Sequence, residues 1–231
     1  MSVTMTAAAI ADDDQRLVVN TVRWEQYETL LQAFNEQTGL RIIYVDGRMT
    51  LLSPSRPHDW PAEKLGQLVI ALAMAYRIEV EDSGHATYRR KDLLAGVEGD
   101  KTYYFGANSK AMRGPKAVDL TSQPPPDLAI EVEKSHKAND AILVWWRIGV
   151  PEVWRLDVDR ETLVFGIRRD DGSYAPSARS IAFPELEPSD VLEQLRLAES
   201  LGTTDWLLQI DDWVRAVLLP RRGQQPTEEV R

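Results

Sequence analysis

The 231-residue chain has no cysteine. Disulfides and thiolate metal sites are therefore excluded, and the absence fits a reducing compartment. Histidine is scarce: His58, His85 and His136 stand alone, with no paired spacing. Isolated histidines are more often surface or structural groups than metal ligands. No apolar run reaches the roughly 20 residues that a membrane-spanning helix needs. The opening stretch MSVTMTAAAIADDDQR lacks the basic segment and long apolar segment of a secretory signal. These absences together favour a cytoplasmic protein with no membrane partner. No glycine-rich phosphate loop, GxSxG elbow or HExxH pair is present. Positive charge is also in deficit, at 27 Lys and Arg against 36 Asp and Glu, a net charge of −9. That opposes a broad, non-specific nucleic-acid surface. It leaves room for a local basic region, which Arg89, Arg90, Lys91, Lys110, Arg113 and Lys116 bracket, although a solvated mixed surface explains any one of these clusters.

What remains is ordinary globular composition, with 43% hydrophobic and 27% charged residues, in a chain long enough for one sizeable core. Residues 1–16 read as a flexible leader. Trp24, Tyr27, Leu30, Leu31 and Phe34 fall at helical spacing, with Gly39 as a stop signal. LRIIYVDGRMTLLS (40–53) places two apolar runs around Asp46-Gly47, a strong hairpin signal. Pro61 suits a helix start, and the stripe Leu65, Leu68, Val69, Leu72, Tyr76 predicts a helix over 61–78. Residues 79–91 read as a strand pair, 101–106 as a strand, and 107–126 as an exposed loop. A strand over 127–133, a helix over 138–148 and strands in PEVWRLD, ETLVFGIRR and SYAPSARSIAF follow. Helices capped by Ser189 and Thr204 run to about 200 and 219. The expected fold is α/β with a mixed central sheet flanked by helices. One domain spans 17–219, with a helical appendage over about 189–219 and a flexible tail at 220–231. Trp145, Trp206 and Trp213 fall on apolar helical stripes and read as core, while Trp60 and Trp146 stay open to a stacking role.

The stretch PPPDLAIEVEKSHK (124–137) carries the chemistry. In a strand, alternate residues share a face, so Asp127, Ala129, Glu131 and Glu133 point one way and Leu128, Ile130 and Val132 the other. A half-solvated strand with a polar outer face would account for this. However, acids are poor strand formers, and three in seven residues is unusual without a role. The strand also ends just before a helix, where open α/β sheets gather ligands. Carboxylates there are hard-oxygen ligands for Mg²⁺. Asp100, in VEGDKTYYF at the start of another strand, is the natural second acid.

LLSPSRPHDWPAEKLGQLV, GVEGDKTYYFGAN, AVDLTSQPPPDLAIEVE and IGVPEVWRLD, taken in that order and spacing, resemble the Uma-two family of restriction endonucleases in the PD-(D/E)XK nuclease superfamily. The likeness covers about residues 24–185, with a family-like helical C-terminus beyond. It implies a restriction-endonuclease-like fold, cleavage of DNA with a divalent metal (Mg²⁺ or Mn²⁺), and by analogy a homodimer that cuts both strands. The family's metal-binding aspartate maps onto Asp100 and its strand glutamate onto Glu131. The general motif has lysine two residues later, where this chain has Glu133. A helix lysine thought to replace it maps onto Ala141. The family's usual proline before the aspartate is Gly99, and an acid common after the hairpin turn is Arg48. Lys137, one helical turn before Ala141, and Lys134, next to the strand, are the candidates for the missing cation, and both read equally as solvated loop lysines. His58-Asp59 and Glu63 resemble the family's acid-bearing first helix, so Glu63 is a further candidate metal ligand, although helix-dipole compensation also explains it. Two functions follow as expectations: a metal-dependent endonuclease using Asp100, Glu131, Glu133 and Lys134 or Lys137, or a weakened nuclease fold that binds DNA or a protein.

Overall fold

A computed structural model describes residues 15–34, 40–53, 56–84, 86–114, 118–134 and 138–222. The chain begins with β1 (Gln15–Val19) and α1 (Trp24–Phe34). The hairpin β2 (Arg41–Val45) and β3 (Arg48–Ser53) follows, then the long helix α2 (Arg56–Tyr76). Next come β4 (Val80–Asp82), β5 (Thr87–Arg90), β6 (Ala95–Glu98), β7 (Lys101–Phe105) and the short helix α3 (Gly106–Met112). The second half runs β8 (Leu128–Glu133), α4 (Asn139–Ile148), β9 (Glu152–Asp157), β10 (Thr162–Arg168) and β11 (Tyr174–Ser177). It ends with α5 (Pro188–Ser200), α6 (Thr203–Trp213), a π-helical turn at Val214–Leu218 and a last turn at Leu219–Arg221.

The strands form two sheets. A mixed six-stranded sheet has the order β11-β10-β9-β8-β7-β4, and β8 and β9 are parallel, joined by α4 as a crossover. A five-stranded sheet, β1-β3-β2-β6-β5, is antiparallel throughout. The expected mixed sheet is thus present, and a second sheet stands beside it. Two strands read as a pair over 79–91 go to different sheets: β4 pairs with β7, and β5 pairs with β6. The chain crosses from one sheet to the other between them.

β8 is buried along its whole length. Leu128, Ile130 and Val132 pack with Leu65, Leu68, Val69 and Leu72 of α2, while Ala129 packs with Val144 and Trp145 of α4. α4 is itself sandwiched, since Ile43, Val45, Ala95 and Val97 of the second sheet join the same cluster. The second sheet's other face is closed by α1, through Trp24 and Tyr27 against Ile42, Tyr44 and Met49. The Tyr27 and Tyr44 rings stack at 4.8 Å. The β2–β3 turn is as the sequence predicts: Asp46 and Gly47 both take positive φ, 49° and 81°, which is the I′ geometry that Asp-Gly favours.

Other expectations are corrected. α2 begins at Arg56, so Pro61 lies inside the helix rather than at its start. It removes one backbone bond near an end where Asp59 and Trp60 are exposed. Part of the supposed loop 107–126 is α3, whose Ser109 and Met112 are buried. Asp127 pins that helix, accepting from the Phe105 amide and from Asn108 Nδ2, both at 2.7 Å. Its carboxylate is a local staple. α5 is capped by a reciprocal pair, Glu187 and Asp190, instead of Ser189. Arg221 then clasps Asp190 with two bonds, at 2.6 and 3.0 Å, tying the C-terminal turn to α5. Lys64 of α2 donates to Thr203 at 2.9 Å and lies over Trp206, fastening α6 to α2.

Candidate active site

Asp100 sits at the entrance to β7, 2% exposed. Because β7 runs antiparallel to β8, with Lys101 opposite Ile130, Asp100 is delivered beside the Glu131–Val132 peptide. The Val132 amide donates to Asp100 Oδ2 at 2.6 Å. The other oxygen, Oδ1, is ion-paired with Nη1 of Arg41, the first residue of β2. This arginine comes from the second sheet, so the site lies where the two sheets meet.

Glu131 points to the α4 side of its sheet and is buried. The indole N–H of Trp145 donates to its Oε1 at 2.6 Å. Burial pushes the Glu131 carboxyl up to about 7; the Trp145 bond and the Arg41 and Arg155 charges pull the other way, and Glu133 adds to the rise. Gly99 makes the Trp145 position possible. A Cβ there would stand 2.5 Å from Trp145 Cζ2 and 3.3 Å from Glu131 Oε1. The indole occupies the space that a proline ring at position 99 would need.

Glu133 shares the face with Glu131 and is also buried. Its Oε1 accepts from the Ala138 amide at 3.1 Å, just ahead of α4, and from Nε and Nη2 of Arg155. Arg155 stands opposite Glu131 in the parallel β8–β9 register. Glu133 therefore anchors α4 to the end of the sheet.

The remaining expected residues are distributed as follows. Glu63 projects from α2 and pairs with Lys101 Nζ at 2.7 Å. Lys101 and Tyr103 belong to the α2 side of β7, whereas Glu131 meets α4. Lys134 is half-buried immediately after β8, and Lys137 lies outside the described residues. Ala141 is 1% exposed, inside the apolar cluster around α4, one turn before Trp145. Arg48 donates to Asp140 Oδ2 at 3.0 Å, beside Thr50 at 3.0 Å and Arg16 at 3.2 Å. An acid at position 48 would instead face Asp140. Among the described residues, no group of three or more His, Cys, Asp or Glu converges as a metal centre. Sequence reading overlooked Arg41, Trp145 as a donor, and Arg155. The last was detectable in principle, since parallel pairing of EVE with VWRLD places Arg155 beside the acids. Arg41 had no local signal, because its contact depends on how two sheets pack.

A mixed six-stranded sheet whose parallel pair, β8 and β9, is joined by the crossover helix α4 defines the class: an α/β protein with buried acids at the strand that leads into that crossover. The chain belongs to the Uma2 family, described as "Putative restriction endonuclease", whose family model matches residues 24–200. A solved structure from Anabaena variabilis, described as "a putative nuclease belonging to DUF820", is similar at 12% identity, with a TM-score of 0.46, over 72% of this chain and 90% of that one. No curated protein matches the chain. Among the described residues no helix is long and apolar enough to cross a membrane.

Proposed function

We propose that this protein is a divalent-metal-dependent DNA endonuclease that hydrolyses phosphodiester bonds. The observation that carries the reading is the delivery of Asp100 onto the amide of Val132, next to Glu131, which joins two buried carboxylates from separate strands. The donor set fits Mg²⁺ or Mn²⁺. Both side chains offer hard oxygens, and burial raises the Glu131 pKa, a cost that a nearby cation relieves. Asp100 and Glu131 would hold the ion. When bound, it would polarise the phosphate and make a bound water a nucleophile near neutral pH. Trp145 orients Glu131, and the Val132 amide orients Asp100. Glu133 with Arg155 fixes the start of α4 behind them. Lys134 or Lys137 contacts the scissile phosphate in this reading. Glu63, paired with Lys101 of β7, stays a candidate for a further carboxylate ligand to the same ion. A homodimer would let two sites act on the two strands.

A second reading has its own observation. Ala141 is packed in an apolar cluster, so that helix position supplies no cation. A weakened nuclease fold that binds DNA without cutting it would tolerate this. Incubating purified protein with supercoiled plasmid and Mg²⁺ or Mn²⁺, beside Glu131→Ala, separates the two. Nicking by the wild type and loss in the variant is expected. Equal nicking by both would overturn the site, and retained DNA binding without nicking would establish the second reading.

A further inference from the structure

We infer that Arg41 is the built-in counter-cation of the Asp100–Glu131 pair and the competitor that a divalent ion must displace to bind there. The inference rests on the metal reading above and concerns a residue to which that reading gives no role.

Arg41 belongs to β2 of the second sheet, yet its side chain, 13% exposed, ends on Asp100 Oδ1. A guanidinium that far from water is stabilised by a carboxylate beside it, and two ionised acids buried side by side are stabilised by a cation. The arginine and the acid pair therefore satisfy one another without metal. A divalent ion at Asp100 would draw on the carboxylate whose Oδ1 the guanidinium holds and whose Oδ2 the amide of Val132 engages. Guanidinium and metal then compete for the same negative charge.

The exit for Arg41 is also in place. Its Nη2 lies 3.7 Å from Asp59 Oδ1, a carboxylate of the first turns of α2 that is 52% exposed. The guanidinium thus spans a buried acid and an exposed one. Contact with Asp59 costs it less dehydration, so Asp59 can retain it when Asp100 is taken. On this account Arg41 sets the metal affinity of the site from the inside, and Asp59 sets how readily Arg41 lets go. Arg41 is a positioning residue here, acting through Asp100.

The two residues predict opposite effects on metal affinity, which loss of folding cannot imitate. Mn²⁺ is titrated into the full chain and followed by electron paramagnetic resonance. Tb³⁺ is titrated in parallel, with luminescence excited through Trp145, whose Nε1 is 2.6 Å from Glu131. Arg41→Gln is expected to tighten Mn²⁺ binding roughly tenfold or more, the scale of one contacting charge on a neighbouring ionisation. Asp59→Asn is expected to weaken it about two- to threefold, a modest effect as befits an exposed pair. The combined variant should match Arg41→Gln alone. Glu131→Gln defines binding at this site. Unchanged or weaker binding in Arg41→Gln, with wild-type binding dependent on Glu131, overturns the Arg41 proposal and leaves the metal reading standing. No Glu131-dependent binding in either the wild type or Arg41→Gln overturns both. If Arg41→Gln does not fold, the exposed Asp59→Asn variant decides alone: unchanged or tighter binding overturns the proposal.

Discussion

The indole N–H of Trp145 is bonded to Glu131, while Cζ2 and Cη2 of the same ring, next to the N–H side, pack against Gly99. One side chain of α4 therefore sets both the orientation of one acid and the backbone that leads into the other, Asp100. Helix, glycine and acid pair form a single packing unit, and changes in one should be read in the others.

Trp145→Phe tests the bond. It keeps most of the apolar ring and removes the donor, so a buried carboxyl loses a partner at a cost of about 1–3 kcal/mol. Glu131 also loses the strongest influence holding its pKa down, so it should titrate higher still. Urea denaturation compared with the wild type, together with carboxyl titration by NMR, checks both parts.

Gly99→Ala tests the packing. The new Cβ would meet Trp145 Cζ2 at 2.5 Å, and overpacking of this kind costs about 1–3 kcal/mol. Because the clash is with the indole's six-membered ring, Trp145→Phe should relieve part of it. The double variant is then expected to be more stable than the sum of the single effects by roughly 1 kcal/mol. Strict additivity in denaturation would contradict the geometry.

The elevated pKa of Glu131 has a signed consequence for stability without metal. Its folded value of about 7 stands above the ordinary 4.5. The folded state therefore binds the proton more tightly than the unfolded state, and its contribution is full below about pH 4.5 and is lost as pH rises through about 7. Glu131→Gln removes that dependence. Relative to wild type, the glutamine variant should gain stability between those pH values, reaching about 3 kcal/mol at most. Saturating Mg²⁺ should stabilise the wild type and not the variant. Chemical denaturation across this pH range, with chelator or with Mg²⁺, measures both.

Arg48→Glu restores the acid that the family likeness leads one to expect and sets it against Asp140 in the first turn of α4. It loses a pair at 3.0 Å and gains a like-charge contact. Arg48 is partly exposed, so the expected loss is roughly 1 kcal/mol, shrinking at high salt. Asp140→Asn in the same chain should recover part of it, read by thermal melting at two salt concentrations.

Much of the molecule was legible in the chain alone. Asp46-Gly47 determined its hairpin because only a left-handed pair closes that turn. The alternation in LAIEVE determined which side chains of β8 would meet α2 and which would meet α4, because strand side chains alternate whatever packs on them. That Asp100 and Glu131 belong to neighbouring strands was recognisable from their positions in the chain. Other features had no local signature. β4 and β5 look like a pair and separate into two sheets, since pairing is settled by which free edge lies near. Glu131 and Glu133 are buried rather than solvated because α4 and the second sheet cover them, which no window of sequence encodes. Arg41 stands 59 positions before Asp100 in the chain and meets it only when the sheets pack. The sequence by itself determined which acids could form a site. Tertiary structure decided what surrounds them, because burial and the placement of distant charges come from packing between elements and from no local pattern within them.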